Sequence, residues 1–476
     1  MLKLCEFHYC NPLSYKRFPP DPRLLAPLLD MDVVGKRATV MGLGRHGGGV
    51  AVSRWLAEAG ALVTISDRAD AAALADSLPQ LEGAPIAALH LGGHREADFR
   101  AAAMVVVNPA VKPDNEFVKI ARQAGAAITS EIELFLERCP AHAIGVTGSN
   151  GKSTTSAMIA AILEADGRRV WLGGNIGRSL LPDLDRMTAD DWVVLELSSF
   201  QLAWLTERCP LPRLAVVTNF SPNHLDWHAT LAHYAASKRR LLSGLRGEGV
   251  AVLDATDPAV RRLLAGLGEP AETCARVVAP MPAEALPDLA APGAHNRRNA
   301  GLAAAAAGVA GCADAAISRG LRSFSGLPHR LELLGTVAGR EFYNDSMATT
   351  PESAVAALAT FSGRAWLLAG GHDKGSDMDR LGAAVAQHGR GAAFYGAARD
   401  TLMRMAQRHA PAAALHATQR LDEALSWCFE QSRADDVIVL SPACASYDQY
   451  RDYRHRGAHF AMLVDALRDG VLRDAR

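Results

Sequence analysis

Gly145-Val146-Thr147-Gly148-Ser149-Asn150-Gly151-Lys152-Ser153-Thr154-Thr155 is the stretch around which this 476-residue chain is organised. Ala143-Ile144 leads into it as an apolar strand, and an Ala/Ile/Leu-rich segment with helical spacing follows through Leu163. A strand, a glycine-rich turn and a helix opening on Lys-Ser is the layout a triphosphate site requires. The glycines let consecutive backbone N–H groups converge on phosphate, and the helix N-terminus adds a favourable partial charge. Gly148, Ser149, Asn150, Gly151 and Thr154 are the candidate loop contacts, Lys152 balances phosphate charge, and the Ser153 hydroxyl suits Mg²⁺. Valine at 146 breaks the strict G-x-x-x-x-G-K-[ST] spacing, so the match is to the shorter G-x-x-G-K-S. A purely structural glycine loop is the competing reading.

Upstream, the strand Arg37-Ala38-Thr39-Val40-Met41 runs into Gly42-Leu43-Gly44-Arg45-His46-Gly47 and a helix through Ala59. A second strand, Leu62-Val63-Thr64-Ile65, ends at Ser66-Asp67. This G-x-G-x-x-G with a following acid is the layout of a dinucleotide fold, and alone it is a weak signal. The alternative is a Rossmann-like domain whose glycine turn takes another ligand or only packs helix on strand. Met104-Val105-Val106-Val107 is a further strand ending at Asn108-Pro109-Ala110, on the crevice side where open parallel sheets bind ligands. A boundary is expected near Ser130. The first thirty residues, rich in Pro, Arg and aromatics and without clean periodicity, read as a loose extension, with Met31 as an alternative start.

Composition narrows the function classes. The length suggests about three domains. With 50 basic and 51 acidic residues there is no charge excess to attract nucleic acid. The eight cysteines are scattered without a C-x-x-C pair, as expected of reduced thiols in cytosol. No apolar run approaches the roughly 20 residues of a membrane span.

Downstream, Val170-Trp171-Leu172 leads to Gly173-Gly174-Asn175-Ile176-Gly177, and the strand Trp192-Val193-Val194-Leu195 ends at Glu196. A carboxylate at the C-terminal end of a hydrophobic strand, in a domain already holding a phosphate loop, is placed to bind Mg²⁺; a helix-entry acid is the alternative. The strand Leu214-Ala215-Val216-Val217 runs into a polar cluster in which His224 stands beside Asn223 and Asp226, as a metal ligand or a partner for a carboxylate. His228 and His233 read as surface residues, and Lys238, on an Ala-rich helix, as a solvated lysine. Asn296 and Asn299 open another Ala-rich helix, where they could read a base edge or cap the helix. Gly326-Leu327-Pro328-His329-Arg330 reads as a linker into a third α/β region. There Gly370-Gly371-His372-Asp373-Lys374-Gly375 and the polar run 441–453 both follow apolar strands. The expected fold class is therefore α/β with three successive units, each carrying its chemistry at strand C-termini.

Segments 147–155, 195–202, 328–330 and 441–457, with His224 and Lys238, resemble the Mur ligases over nearly the whole length. The sharpest marks are Leu195-Glu196-Leu197-Ser198-Ser199-Phe200-Gln201-Leu202 and Ser441-Pro442-Ala443-Cys444-Ala445-Ser446, which resemble the glutamate-adding branch. The resemblance implies a Rossmann-like domain over 31–129 for the uridine nucleotide end and a central P-loop ATPase domain over 130–326. A C-terminal Rossmann-like domain over 327–476 would close over ATP and receive the amino acid. It implies an ATP-dependent ligase with two Mg²⁺ that joins D-glutamate to UDP-N-acetylmuramoyl-L-alanine through an acyl phosphate, in a cytoplasmic monomer.

Position by position, the resemblance makes Lys152, His224 and Lys238 catalytic, with Lys238 carbamylated so that it binds metal beside Ser153, Glu196 and His224. It assigns Asn296, Asn299, Arg330 and Asp345 to the nucleotide, and Arg45, His46, Arg68, Asn108 and Asn175 to the UDP substrate. Thr349, Lys374, Ser446 and Tyr453 fall where glutamate is held. Two departures stand out. Asn108-Pro109-Ala110 replaces Ser-Pro-Gly, and Met347-Ala348-Thr349-Thr350-Pro351 replaces Lys-Ala-Thr-Asn, a run that relatives using L-glutamate share in part. L-Glutamate is thus an alternative substrate, as is a sibling activity such as folylpolyglutamate synthesis. The sibling is disfavoured because the Asp-Asn-Pro-Arg type of run is missing and the Rossmann opening is complete. A non-catalytic nucleotide-binding protein would leave the coexistence of Glu196, His224 and Lys238 with a phosphate loop unaccounted for.

Overall fold

The fold is described here by a computed structural model covering residues 33–44, 47–245, 249–265, 276–373 and 375–474, the last four by backbone alone. The expected extension at 1–30, Met31, Arg45, His46 and Lys374 lie outside the described residues.

The first sheet contains β1 (Arg37–Met41), β2 (Leu62–Ser66), β3 (Ala88–His90), β4 (Met104–Val107) and β5 (Ala127–Thr129) in the order β3-β2-β1-β4-β5. All pairings are parallel. β4 is buried along its whole length, as a parallel strand covered on both faces must be, and its Met-Val-Val-Val composition follows from that. Strand order reverses between β1 and β4, so the crevice opens between the turn after Met41 and the turn at Asn108.

The second sheet takes β6 (His142–Thr147), β7 (Val170–Gly174), β8 (Trp192–Glu196), β9 (Leu214–Val217), β10 (Val250–Leu253) and β11 (Arg276–Val278) in the order β11-β10-β9-β6-β8-β7, again parallel. β6 is central, between β8 and β9. The turns after these three strands therefore share one edge, and they carry Gly148–Gly151, Glu196 and Thr218. One buried apolar cluster runs through both sheets, from Val40 and Val63 through Leu134 and Trp171 to Leu195 and Val217.

The third sheet has β12 (Glu332–Val337), β13 (Arg340–Asn344), β14 (Ala365–Gly370), β15 (Gly389–Tyr395), β16 (Ala414–Ala417) and β17 (Val437–Ala443) in the order β12-β13-β17-β14-β15-β16. Only β12 is antiparallel, paired with β13. The chain divides into two compact units. One comprises the described residues up to Leu286 together with Asn299–Leu321; the other comprises Pro287–Arg298 and the residues from Arg322 onward. The α/β class and the largely parallel sheets agree with expectation. The expected linker at 326–330 contains a local antiparallel bridge between Leu327 and Arg330. Among the described residues Cys139, Cys209, Cys312, Cys428 and Cys444 are buried and free, and no helix is long and apolar enough to cross a membrane.

Candidate active site

The loop between β6 and the helix Lys152–Ala165 is shaped by two glycines. Gly151 sits at φ 80° and a Cβ there would lie 2.4 Å from Asn299 Oδ1; at Gly148, φ 147°, it would lie 1.9 Å from Thr218 Oγ1. Both positions therefore require glycine for backbone angle and for space. Ser149 N–H donates to Asn219 O (3.1 Å) and Asn150 N–H to Asn219 Oδ1 (3.0 Å), while the Ser149 hydroxyl bonds Ser221 O and Tyr234 Oη. These bonds brace the loop from the β9 side. The helix itself starts with no capping side chain and no acid in its first turn, which leaves its positive end able to attract an anion. Lys152 Nζ donates back to Ser149 O at 3.0 Å. Thr154 is 3 % exposed, and its Oγ1 is buried without a hydrogen-bond partner.

Glu196, 2 % exposed, ends β8. Its Oε1 accepts from Asn175 Nδ2 at 2.7 Å, and its Oε2 is buried with no partner. An ionised oxygen in that state is costly unless a cation meets it. Lys238 is 1 % exposed, contrary to its reading as solvated. Its Nζ donates to Gly148 O at 2.6 Å and lies 4.7 Å from the Tyr234 ring centre. Burial pushes its pKa well below the usual lysine value, the Lys152 charge pushes the same way, and Glu196 opposes. Lys152, Lys238 and Glu196 thus form one electrostatic cluster around the phosphate loop.

His224 begins the Leu225–His228 turn in left-handed conformation (φ 54°, ψ 35°) and is exposed, with its ring 4.8 Å from Phe200. His228 corrects the sequence reading: it is 1 % exposed, not on the surface. Its Nε2 meets Ser199 Oγ at 2.9 Å and its ring stacks on Phe200. Burial, then the neighbouring His233, His224 and Lys238, lower its pKa to about 4, so the ring is neutral at pH 7.

At the first sheet, Asp67 Oδ2 accepts from Leu43 N–H (2.8 Å) and Gly44 N–H (3.4 Å). Asp67 thus holds the glycine turn in shape. Asn108 braces the same turn: its Nδ2 donates to Gly42 O at 3.2 Å, and a Cβ at Gly42 or Gly44 would approach it to 2.9 Å. Arg68 is exposed beside Asp67.

In the second unit, Asp345 is 6 % exposed and accepts from Ser441 Oγ (2.8 Å) and Leu331 N–H (3.2 Å). Burial raises its pKa to about 7 against those bonds and the Arg330 charge. Arg330 Nη2 lies 3.2 Å from Met347 Sδ. Asn296 Nδ2 donates to Pro292 O at 2.7 Å, the local bond of a helix start. Thr349 is half-buried, Ser446 is 3 % exposed, and Tyr453 is half-buried with its carbonyl accepting from Ser346 Oγ.

Three family models cover most of this architecture: a MurD-like N-terminal domain at residues 36–130, a Mur ligase middle domain at 146–278 and a Mur ligase glutamate ligase domain at 329–444. The chain is 36 % identical to the UDP-N-acetylmuramoylalanine--D-glutamate ligase of Roseiflexus sp., across 92 % of this chain and 100 % of that one. It is also 36 % identical to the enzyme of the same name from Symbiobacterium thermophilum, across 91 % and 98 %. This chain belongs to the Mur ligase family. Solved Mur ligases share the fold. The UDP-N-acetylmuramate-alanine ligase of Thermotoga maritima aligns at TM-score 0.57 and 18 % identity over 90 % of this chain and 99 % of that one. The MurF ligase of the same organism, in complex with ADP, aligns at 0.56 and 14 % over 94 % and 100 %.

As a Mur ligase the chain has residues at the site that its sequence did not flag. Asn219 and Thr218 brace the phosphate loop, and Thr218 Oγ1 donates to Asn150 O at 2.5 Å. Arg456, 0 % exposed, has its guanidinium on Ser346 O (2.8 Å), Ser346 Oγ (3.0 Å) and Cys444 O (3.1 Å), tying together two loops that carry candidate contacts. The sequence signal for Asn219 is its place just past β9, and for Arg456 its place in the 441–457 segment that resembles the Mur ligases.

Proposed function

We propose that this chain catalyses ATP-dependent ligation of D-glutamate to UDP-N-acetylmuramoyl-L-alanine in peptidoglycan precursor synthesis. The observation that carries the mechanism is the convergence, at one sheet edge, of a phosphate loop, a buried carboxylate oxygen without a partner and a buried lysine whose charged form burial disfavours. The full-length likeness to D-glutamate ligases supports the substrate. A carboxylate is a poor electrophile, so activation precedes attack. The γ-phosphoryl group passes from ATP to the substrate carboxylate, the glutamate amine attacks the acyl phosphate, and phosphate leaves the tetrahedral intermediate as the amide forms.

The helix start at Lys152 and the Lys152 ammonium offset charge on the transferring group. Asn175 orients Glu196 through its 2.7 Å bond. Among the described residues no three His, Cys, Asp or Glu side chains cluster as a ready-made metal site. The donors present still suit Mg²⁺, which takes one or two carboxylates plus substrate phosphates. Glu196 Oε2 and the Ser153 hydroxyl would hold one ion, and a Lys238 carbamate with His224 a second. Bound there, Mg²⁺ would neutralise phosphate charge. The neutral amine of Lys238 is the form that adds to CO₂.

Asn296, Asn299, Arg330 and Asp345 are the proposed nucleotide contacts, Arg45, His46, Arg68, Asn108 and Asn175 those of the UDP substrate, and Thr349, Lys374, Ser446 and Tyr453 those of glutamate. We assign these roles to regions 31–129, 130–326 and 327–476 of a cytoplasmic, monomeric enzyme. Incubation of purified protein with UDP-N-acetylmuramoyl-L-alanine, ATP-Mg²⁺ and each glutamate enantiomer tests the reading. Product from D-glutamate, lost in Lys152→Ala with the fold retained, is expected; product from the L-enantiomer alone, or turnover by Lys152→Ala, rejects it.

A further inference from the structure

Two tryptophans reach from the loops of the second sheet to the first. Trp204 ends the Ser199–Trp204 helix and is 5 % exposed, packed in a cluster with Met41, Phe99, Val105, Val107 and Val118. Its indole Nε1–H donates to Val111 O at 3.1 Å. Trp227 is 9 % exposed, and its Nε1–H donates to Ala110 O at 3.0 Å. Lys112 Nζ in turn donates to Asp226 O at 2.8 Å. Residues 110, 111 and 112 of one turn are therefore bonded, one after another, to the segments that follow Glu196 and His224.

The location gives these bonds a consequence. The turn at 108–112 closes β4 at the crevice of the first sheet. Trp204 lies on the short helix that follows Glu196, and Trp227 lies three residues beyond His224 with its ring 5.0 Å from Phe200 and 4.5 Å from His228. An indole combines a rigid apolar body with a single directional donor, which suits it to fixing a spacing between two elements. Phosphoryl transfer demands near-contact geometry between carboxylate and phosphate, and errors of about 1 Å cost on the order of a hundredfold in rate.

We propose that Trp204 and Trp227 are positioning residues. They form a clamp that sets the distance between the turn receiving the UDP end of the substrate and the Glu196–Lys238 cluster, and so place the substrate carboxylate for phosphorylation. This rests on the ligase reading above. Neither indole touches the reacting atoms; both act through the 108–112 turn.

The test uses the full chain with Trp204→Phe, Trp227→Phe and the double variant. Phenylalanine keeps an aromatic ring, smaller than the indole, and removes the N–H, leaving the Ala110 and Val111 carbonyls without their donors. Each single change is expected to lower kcat/KM for UDP-N-acetylmuramoyl-L-alanine about fivefold and the double change about thirtyfold, from the usual worth of one buried hydrogen bond. The KM values for ATP and glutamate should stay within about twofold. A merely stabilising role would lower Tm while leaving kcat/KM for the UDP substrate unchanged at a temperature where the variant is folded. That result in the single variants overturns the clamp, and so does an equal loss toward all three substrates. Lys112→Met supplies the same readout from an exposed position should the double variant not fold. No ligation by the wild type overturns the ligase reading and the clamp together; ligation by the wild type with unaltered variants overturns the clamp alone.

Discussion

Replacing Lys238 by methionine should change how the stability of the metal-free protein responds to pH, because it removes the cost of burying this amine below pH 10.5. The Lys238 amine is 1 % exposed, with the Gly148 carbonyl at 2.6 Å and the Tyr234 ring as its neighbours. Burial, then the Lys152 charge, depress its pKa far below 10.5, against Glu196. The unfolded chain holds this proton up to about pH 10.5, whereas the folded chain releases it at much lower pH. Across that window the unfolded state binds one proton more. Stability from this group therefore rises with pH, and is lost as pH falls from 10.5 toward the folded value, by about 1.4 kcal/mol per pH unit. Methionine carries no such term and forfeits one hydrogen bond worth about 1 kcal/mol.

Urea unfolding of both proteins in metal-free, CO₂-depleted buffer at a series of pH values between neutrality and 9.5 would measure the difference directly. Other titrating groups cancel in it. The stability of the wild type relative to the variant should rise by about 1.4 kcal/mol for each pH unit between the folded value and 10.5. In the activity assay, bicarbonate should restore turnover to carbonate-depleted wild type, the amine adding to CO₂ to give a carbamate and one proton, and should do nothing for Lys238→Met. Parallel stability profiles would show that Lys238 keeps its proton in the folded chain, and the carbamate route would fail with that result.

Gly151→Ala must place a Cβ 2.4 Å from Asn299 Oδ1 on a backbone at φ 80°, so a destabilisation of about 2 kcal/mol and an ATP Kd weakened more than about tenfold are expected by denaturation and calorimetry; an unchanged Kd would contradict the loop assignment. His228 is buried with a pKa of about 4 against 6.5 when free, so its contribution is complete above pH 6.5 and is lost as pH falls toward 4. His228→Gln should therefore remove up to about 3 kcal/mol from the acid-limb loss of stability, and an acid limb identical to that of the wild type would refute a buried neutral ring.

The α/β class, the phosphate loop and Glu196 were legible because each depends on local order: an apolar run, glycines where the backbone needs them, then the polar residue at a strand end. Short edge strands were not. β3, β11 and β16 have three or four partly exposed residues, and β15 opens Gly-Arg-Gly-Ala-Ala, so neither alternation nor an apolar run announces them. Lys238 shows the limit for sites. On its own helix it is a lysine among alanines, and only burial against Tyr234 and the Gly148 carbonyl, 90 positions away in sequence, pushes its pKa well below the usual lysine value.

His228 went the other way. A histidine read as solvated is enclosed beside Ser199. By itself the sequence determined the buried apolar strands, where the chain must turn after them and which residue types wait at those turns, because these follow from short-range sterics and burial of apolar runs. Only the tertiary structure decided which of those residues lose water and which find partners. Desolvation and hydrogen bonding come from atoms far apart along the chain, and they set the charge of Lys238, the open oxygen of Glu196 and the grip of Trp204 and Trp227 on one turn.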